Sequence, residues 1–311
     1  MGQGKPQMSA EQRMEAFLAK GSATAEQRLK IDAYNAQTQP IGLAQRRLLH
    51  ELTVSVLWPH RDHDLDLFLS LGQGYLATDE IGRPVGSAMY FAMGEDFAML
   101  GMMVTAPRLQ ALGAGRWLLQ SIMRDCAGRD LRLSATRSGY RLYETAGFTP
   151  VGIIHQQQGI AKAPPVDPVR GLAIRPLEDA DGDALRDLDE AAYGASRRHV
   201  IDRLMPLSTG TVALRDGALR GFALTRRFGR GAVIGPVVAE DDEMAIQLVA
   251  PLIRTGMFMR LDTPVESERF TAFLKDAGIV PFDTVTEMRI GPHRRATSGA
   301  ITYGLASHSL G

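Results

Sequence analysis

The sequence contains a single cysteine, Cys126, among its 311 residues. One thiol excludes an internal disulfide and any metal site built from several cysteines. In the helix predicted around it, a buried and inert thiol is expected rather than a nucleophile. No histidine, aspartate and glutamate residues stand at a spacing typical of metal ligands, so no bound metal is expected.

Long apolar runs and an excess of either charge are also missing. No stretch approaches the roughly 18 to 20 apolar residues of a membrane span. The 35 basic residues balance 35 acidic ones, so no overall field attracts nucleic acid or a membrane surface. The first residues are polar and mix acids with bases, unlike a secretory signal. With 45% hydrophobic residues, the chain is predicted to be a soluble cytoplasmic protein, long enough for two domains.

The most informative segment is a glycine-rich loop, Gln110-Ala-Leu-Gly-Ala-Gly115, between a predicted strand over 97–104 and an amphipathic helix. A helix start has backbone N–H groups without internal partners, and the helix dipole favours an anion there. Glycine allows the backbone to approach such a ligand closely. No Lys-Ser or Lys-Thr pair follows the second glycine, and the three-glycine dinucleotide fingerprint is incomplete. The loop is therefore neither a P-loop nor a dinucleotide-binding turn.

The order of the neighbouring parts is more specific than the loop alone. Gln-x-x-Gly-x-Gly, a helix and a strand over 131–136 are followed by Leu142-Tyr143-x-x-x-Gly147-Phe148. This order resembles the core of the GNAT superfamily, the acyl-CoA-dependent N-acyltransferases, over about residues 58–158. Upstream, two predicted helices precede an antiparallel meander of strands. Helices, a meander and then strand-loop-helix-strand predict an α/β fold with a mixed sheet.

The two halves of the chain repeat each other. Four anchor segments recur in the same order, among them Gly101 with Gly235 and Arg132 with Arg260. Where the first half has its glycine loop, the second has Ala239-Glu-Asp-Asp-Glu. Carboxylates at a helix start satisfy the dipole internally and repel a pyrophosphate. The prediction is two tandem GNAT-like domains, the second degenerate, as in a bacterial tandem subfamily that this chain resembles.

The domain boundaries follow from these patterns. Residues 1–40 are expected to be a helical or partly disordered extension, with one short helix opened by Ser9 and Gln12 and another over 25–36. Prolines mark a stiff linker over 161–171. In the tail, residues 301–305 are interpreted as a short strand closing the second domain. The assigned segments are an extension over 1–40, a first domain over 41–160, a linker over 161–171, a second domain over 172–290 and a tail over 291–311.

The family resemblance implies an acyl-CoA site in the first domain. The pyrophosphate would bind the amides of residues 112–116 at the helix start. The pantetheine arm would pair like an added strand with the edge of residues 103–105, which requires that this strand splays away from 131–135. The coenzyme-binding residues implied are Met103, Val104, Thr105, Gln110, Ala111, Leu112, Gly113, Ala114, Gly115, Arg116, Ser138 and Tyr143.

The resemblance also implies the catalytic groups. Tyr143 stands at the position of the family's general acid, and a phenol with a pKa of about 10 is protonated at pH 7 and can donate to a leaving thiolate. A backbone N–H near Val104 would polarise the thioester carbonyl. An asparagine frequent in the family's preceding turn appears here as Ser138 or Gly139, so the hydrogen bonding around the sulfur is open.

The acceptor side is less determined. Trp58-Pro-His60-Arg61 falls where the family has its acceptor-binding wall, so Trp58, His60 and the turn residue Asp96 are predicted substrate contacts. The strand before the loop carries no ionisable group. The general base therefore stays open between Glu95, Asp96, His60 and Asp62, with His155 a weaker candidate for lining the pocket.

The expected function is transfer of an acetyl group from acetyl-CoA, as co-substrate, to the amine of a small molecule. Transfer within a ternary complex is expected because no nucleophile is placed for an acyl-enzyme. No metal, nucleic acid or membrane partner is expected, and the oligomeric state is open. The alternatives are an acyl-CoA-binding sensor or interaction protein without turnover, and transfer of a different acyl group.

Overall fold

The computed structural model describes residues 8–20, 28–31 and 34–311. Helix α1 (Ala10–Ala19) begins at Ser9, whose hydroxyl accepts a hydrogen bond from the Gln12 N–H (3.1 Å). The Gln12 side chain accepts from the Ser9 N–H in return (2.9 Å), a reciprocal capping box. The first predicted helix of the extension is therefore confirmed.

The helix predicted over 25–36 is wrong where the structure describes it. Two antiparallel strands, β1 (Arg28–Ile31) and β2 (Tyr34–Pro40), are present instead. Ile31 and Ala36 are buried in the core that also contains Phe17 of α1. Pairing with the main sheet and burial of these side chains outweigh a weak helical pattern.

Both repeats contain the same order of elements. In the first, β2 is followed by α2 (Arg46–Ser55), α3 (Asp62–Leu71), β3 (Gln73–Thr78), β4 (Pro84–Met93), β5 (Phe97–Thr105), α4 (Ala114–Asp125), β6 (Asp130–Ala135), α5 (Tyr140–Thr145) and β7 (Thr149–Ile160). The second contains β8 (Ala173–Pro176), α6 (Gly182–Tyr193), α7 (Arg198–Leu204), β9 (Ser208–Arg215), β10 (Ala218–Phe228), β11 (Gly231–Ala239), α8 (Asp242–Val249), β12 (Phe258–Thr263), α9 (Glu268–Asp276) and β13 (Val280–Ile290). The predicted strand of the tail is confirmed as β14 (Ile301–Gly304), which pairs with β11.

The last strands of the two repeats exchange places. The sheet order is β1-β2-β3-β4-β5-β6-β13-β7-β12-β11-β10-β9-β8, so β13 of the second repeat lies beside β6 of the first. In the same way, β7 of the first repeat pairs with β12 of the second. The β5–β6 and β11–β12 pairs are parallel and the other pairs antiparallel, which confirms the mixed α/β sheet. The exchange makes one continuous sheet from both repeats.

Helices cover this sheet on two faces. On the inner face, α2, α3, α6 and α7 share one apolar core, through Leu49, Leu65, Leu185 and Val200. On the outer face, α1, α4 and α5 pack on the first repeat, and α8 and α9 pack on the second. None of the helices in the described parts of the chain is long and apolar enough to span a membrane.

Candidate active site

Strands β5 and β6 separate halfway along their length. Their parallel pairing runs from Phe97 opposite Asp130 to Leu100 opposite Leu133 and stops there, although β5 continues to Thr105. On its other side β5 stays paired with β4 as far as Thr105. Among the described strands, none pairs with residues 103–105 of β5 on the β6 side. The splayed edge that the family resemblance implied is therefore confirmed.

A bulge in β5 lies at the start of this opening. Between the pairs Met89–Gly101 and Ser87–Val104, β5 has one residue more than β4. Met102 has a φ of +49°, and its carbonyl accepts a hydrogen bond from the buried Ser87 hydroxyl on β4 (2.8 Å). In a trans peptide the C=O and N–H point in opposite directions, so the Met103 N–H points away from β4 and toward the opening.

The register with β4 decides which backbone N–H of β5 faces the opening. The Ala106 N–H donates to the Val85 carbonyl (2.9 Å), which makes Gly86–Thr105 a non-hydrogen-bonded pair and Ser87–Val104 a hydrogen-bonded one. The Val104 N–H is therefore directed at β4. Met103 is the residue whose N–H faces the opening, and nothing in the sequence marked the bulge that causes this.

The glycine loop leaves the start of α4 uncapped. Ala111 and Gly113 both have positive φ angles, +64° and +98°, and no side chain caps the helix after Gly113. The N–H groups of its first turn therefore have no intrahelical partner. A Cβ added at Gly113 would meet no described atom within 4 Å, so the loop is open on that side. An anion can reach these amides there.

The same helix start lies next to the opening. A Cβ at Gly115 would lie 3.3 Å from the Thr105 hydroxyl and 3.4 Å from the Leu142 side chain of α5. The Gln110 side-chain amide also donates to the Thr105 carbonyl, at 3.3 Å. The structure thus brings the loop residues and the end of β5 together. The Arg116 guanidinium, in contrast, stacks on the Phe17 ring at 4.7 Å, so its side chain faces α1.

Tyr143 lies on α5, in the same outer-face core as α4. Its ring is 7% exposed and contacts Phe148 edge-on, with 6.0 Å between ring centroids. Burial raises the pKa of the Tyr143 hydroxyl, and no described group forms a hydrogen bond with it. The hydroxyl therefore keeps its proton and has it available for a ligand. In the preceding turn, the Ser138 hydroxyl lies 3.1 Å from that of Thr136.

Trp58 and His60 lie at the junction between the two repeats on the inner face. The His60 ring contacts Trp58, Phe68 and, from the second repeat, Phe228, with centroid distances of 5.6, 5.5 and 5.7 Å. Burial, followed by the charges of Arg260 and other nearby cations, lowers the pKa of His60 to about 3. The imidazole is neutral at physiological pH and too weakly basic to serve as a general base there.

The lowered pKa of His60 predicts an acid-sensitive stability. The folded imidazole stays neutral down to about pH 3, whereas the unfolded one binds a proton near its ordinary pKa of 6.5. Between these values the unfolded state binds more protons, so the free energy of unfolding falls as the pH is lowered. Because the residue as a whole is only half-buried, we expect a reduced loss on the order of 1 kcal/mol between about pH 6.5 and 5.

Chemical denaturation at the two pH values measures this loss. In His60→Phe, which suits the aromatic surroundings, the pH dependence should become shallower. His155→Gln is the matched control, because it also removes one histidine. His155 lies on β7, 3.8 Å from the Glu266 carboxylate, and not in the aromatic cluster around His60. Equal pH dependence in the wild type and His60→Phe would contradict the assignment.

Two of the acidic candidates for the acceptor side, Glu95 and Asp96, lie just before β5, at the end opposite the opening. Asp96 pairs with Arg294 at 2.9 Å and precedes β5. Val104 is eight residues further along, roughly 25 Å at about 3.3 Å per residue. Glu95 is exposed in the same turn. Asp62 is exposed and lies 3.5 Å from the His50 ring.

In the second repeat the chain fills the equivalent opening with its own tail. β14 pairs with Val237, Val238 and Ala239 of β11, the positions that correspond to residues 103–105 of β5. The Leu305 N–H then donates to the Asp262 carbonyl of β12, at 2.8 Å. The second opening is therefore bridged by an added strand.

The helix start of the second repeat is also satisfied internally. The Asp241 carboxylate caps α8 by accepting from the Met244 N–H at 2.8 Å. The Asp242 carboxylate accepts from the Ser267 hydroxyl (2.6 Å) and from the Tyr303 hydroxyl of β14 (2.8 Å). These bonds leave no open helix start comparable to that of α4 in the described second repeat. The degenerate character of this copy is thus visible in its hydrogen bonds.

A bulged strand beside an opening, with an uncapped glycine-rich helix start next to it, defines an acetyltransferase fold of the GNAT type. The chain belongs to this family: a model of the acetyltransferase (GNAT) family matches residues 45–148, and a model of an acetyltransferase (GNAT) domain matches residues 185–304. The predicted tandem of two GNAT domains is therefore confirmed.

Similar proteins span nearly the whole chain. An uncharacterized N-acetyltransferase of Bacillus subtilis, YitH, is 26% identical over 277 residues, which is 85% of this chain and 97% of the relative. The structure of a putative acetyltransferase from Pyrococcus horikoshii superimposes with a TM-score of 0.73 at 18% identity, covering 91% of this chain and 98% of that one. The structure of a tandem GNAT protein from the clavulanic acid biosynthesis pathway superimposes with a TM-score of 0.58 at 14% identity. The match covers 83% of this chain and 99% of that one. The likeness to solved structures shows the fold.

Proposed function

We propose that the chain transfers an acetyl group from acetyl-CoA to the amine of a small molecule, with both substrates bound to the first repeat. The main support is the contrast between the repeats. In the second, β14 shows that the opening beside this kind of strand takes an extended segment. In the first, the equivalent edge of β5 is unpaired among the described strands and lies beside an uncapped helix start. That combination suits a pantetheine arm followed by a pyrophosphate.

Each group then has a defined task. The edge of residues 103–105 binds the amides of the pantetheine arm, and the amides after Gly113 bind the pyrophosphate. The Met103 N–H donates to the thioester carbonyl and stabilises the negative charge that develops on its oxygen. The Tyr143 hydroxyl donates its proton to the departing thiolate. The amine nitrogen attacks directly and gives its own proton to solvent, since His60 is too weak a base and Asp96 is too distant.

Calorimetric titration with acetyl-CoA tests the binding site. We expect one equivalent to bind the wild type, because β14 bridges the second opening. Gly113→Asp should abolish binding, since it places a negative charge where the pyrophosphate is bound. Gly128→Asp is the matched control: Gly128 also has a positive φ and open space around it, but it lies after the end of α4.

The stoichiometry separates the outcomes. Binding of two equivalents of acetyl-CoA would contradict the expectation that β14 blocks the opening of the second repeat. No binding by the wild type would contradict the proposal as a whole. Equal loss in both glycine variants would show that folding, not the phosphate site, had been disturbed.

An acyl-CoA sensor is the second candidate, and it is favoured because β5 (Phe97–Thr105) carries no ionisable side chain that could act as the general base. Turnover separates it from the enzyme. A panel of small amines should include at least one that is acetylated with release of CoA in the wild type. Binding of one equivalent without acetylation of any amine would support the sensor instead.

A further inference from the structure

The tail connects the two openings across the inner face. A Cβ added at Gly235 in the second repeat would lie 1.9 Å from the Leu305 carbonyl oxygen. A Cβ added at Gly101 in the first repeat would lie 2.4 Å from the Ser309 hydroxyl oxygen. Both contacts come from one segment, Leu305 to Ser309, which spans at most about 14 Å when extended. The two repeated glycines thus leave room for the same piece of chain.

Two buried arginines hold this segment in place. Arg226 donates to the Ala306 carbonyl at 2.7 Å. Arg197 donates to the Leu310 and Gly311 carbonyls at 2.7 and 2.6 Å. These charge-assisted bonds fix the backbone on both sides of the turn.

The turn itself is closed by one side chain. The Ser307 hydroxyl accepts from the N–H groups of Ser309 (3.3 Å) and Leu310 (3.1 Å). The Ser309 hydroxyl, in contrast, is bonded to no group in the described parts of the chain. Ser309 packs against Gly101, since a Cβ added at Gly101 would lie 2.4 Å from the Ser309 hydroxyl oxygen and 2.6 Å from its Cβ. The pairing of β5 with β6 has just ended at this point.

The position of Ser309 is on the side from which an acceptor must approach. Side chains alternate along a strand, and Phe97 and Met99 of β5 point into the inner-face core, so the bare side of Gly101 faces inward as well. The start of α4 and Tyr143 lie on the outer face. With the coenzyme held from the outer face, the inner face is left for the amine.

We propose that residues 307–309 form the acceptor-side wall of the first opening, with the Ser309 hydroxyl adjacent to the bound thioester. This inference rests on the proposed function, because it needs acetyl-CoA in that opening. The tail then has two tasks: β14 occupies the second opening, and the following turn borders the reaction site of the first. Ser309 is accordingly a residue that selects and positions the amine.

A cysteine at position 309 tests this placement without knowledge of the acceptor. In Ser309→Cys, the cysteine sulfur should bond to the acetyl carbonyl carbon, the bond from that carbon to the CoA sulfur should break, and the thiol proton should pass to the released CoA thiolate. Mass spectrometry of peptides after incubation with acetyl-CoA measures the gain of one acetyl group. Because a displacement of about 1 Å costs roughly 100-fold in rate, acetylation should be about 100-fold faster at position 309 than at a thiol facing elsewhere.

The chain offers two controls. Ser307→Cys places a thiol in the same segment but facing the interior of the turn, and it should stay unmodified. Cys126 is an internal reference, because burial raises the pKa of its thiol to about 12. Adding Gly113→Asp to Ser309→Cys should abolish the modification, since the donor no longer binds.

The outcomes distinguish the two proposals. If the wild type does not bind acetyl-CoA, the proposed function fails and the wall assignment fails with it. If Ser309→Cys binds acetyl-CoA but its new thiol is acetylated no faster than that of Ser307→Cys, only the wall assignment is overturned. Should Ser309→Cys not fold, hydrogen exchange in the wild type replaces it: saturating acetyl-CoA should slow exchange in the 305–309 peptide, and unchanged exchange would overturn the assignment.

Discussion

Replacing Tyr143 with phenylalanine should lower the turnover number by about 10²- to 10⁴-fold, the usual contribution of a positioned general acid. The affinity for acetyl-CoA should be nearly unchanged, because the ring contacts that remain, such as that with Phe148, do not involve the hydroxyl. The hydroxyl has no partner among the described residues, so its removal leaves no buried group unsatisfied. Steady-state kinetics with an amine identified in the panel, together with calorimetry, measure both quantities.

Tyr140→Phe is the matched control, because Tyr140 lies on the same short helix. The pH profile adds an independent readout. Burial raises the pKa of Tyr143, so the acid keeps its proton through the range near pH 10 in which an ordinary tyrosine ionises. The turnover number of the wild type should therefore not decline on account of this group below about pH 10. Unchanged turnover in Tyr143→Phe would remove its role as the acid.

The sequence predicted those parts of the site that depend on nearby residues. The loop around Gly113, the helix after it and the position of Tyr143 are set by spacing within one segment. In the structure, Leu142, next to Tyr143, lies against the start of that helix at Gly115. The capping box at Ser9 was also predictable, because it joins two residues only three positions apart, Ser9 and Gln12. The acidic residues at the start of α8 are adjacent in sequence to the helix whose N–H groups they cap. The sequence alone therefore predicts that the second repeat is degenerate.

The features that were missed depend on distant partners. Whether Met103 or Val104 directs its N–H at the opening is decided by the register with β4 and by the Ser87 hydroxyl. The exchange of β7 and β13 pairs residues that are 98 to 159 positions apart in the sequence, and periodicity carries no signal for it. In the sequence, the path of the tail is reflected in the repeated glycines Gly101 and Gly235, which leave room for residues 305–309. This reason for the two glycines becomes clear once the position of that segment is known.

The strand exchange also explains the repeated arginines. Arg260 on β12 donates to the Gln156 side chain on β7, at 3.0 Å. Arg132 on β6 lies 3.9 Å from the Glu287 carboxylate on β13. Arg260 also pairs with Asp262 on its own strand, at 2.8 Å. In both repeats a buried arginine thus has one partner on the strand contributed by the other repeat. The match between Arg132 and Arg260 reflects a requirement of the shared sheet rather than two separate sites.

Replacing Asp189 with alanine should lower the free energy of unfolding by about 3–5 kcal/mol, the usual cost of leaving one member of a buried ion pair alone. Arg197 is 0% exposed and donates to both carboxylate oxygens of Asp189, at 2.7 and 2.8 Å, while its Nη1 donates to the Leu310 and Gly311 carbonyls of the tail. Among the described residues, no acidic side chain other than that of Asp189 pairs with the Arg197 guanidinium within 4.0 Å.

Denaturant unfolding measures this loss, and Asp187→Ala on the same helix is the control. Asp187 is 68% exposed and pairs with Arg198 at the surface, so its removal should cost at most about 1 kcal/mol. Arg197→Met together with Asp189→Leu should recover part of the loss, because an apolar pair needs no desolvation of charges. The recovery should stay incomplete, since methionine cannot donate to the Leu310 carbonyl and the tail then lacks one of its two anchors. Equal effects of Asp189→Ala and Asp187→Ala would contradict the expected cost of breaking the buried ion pair.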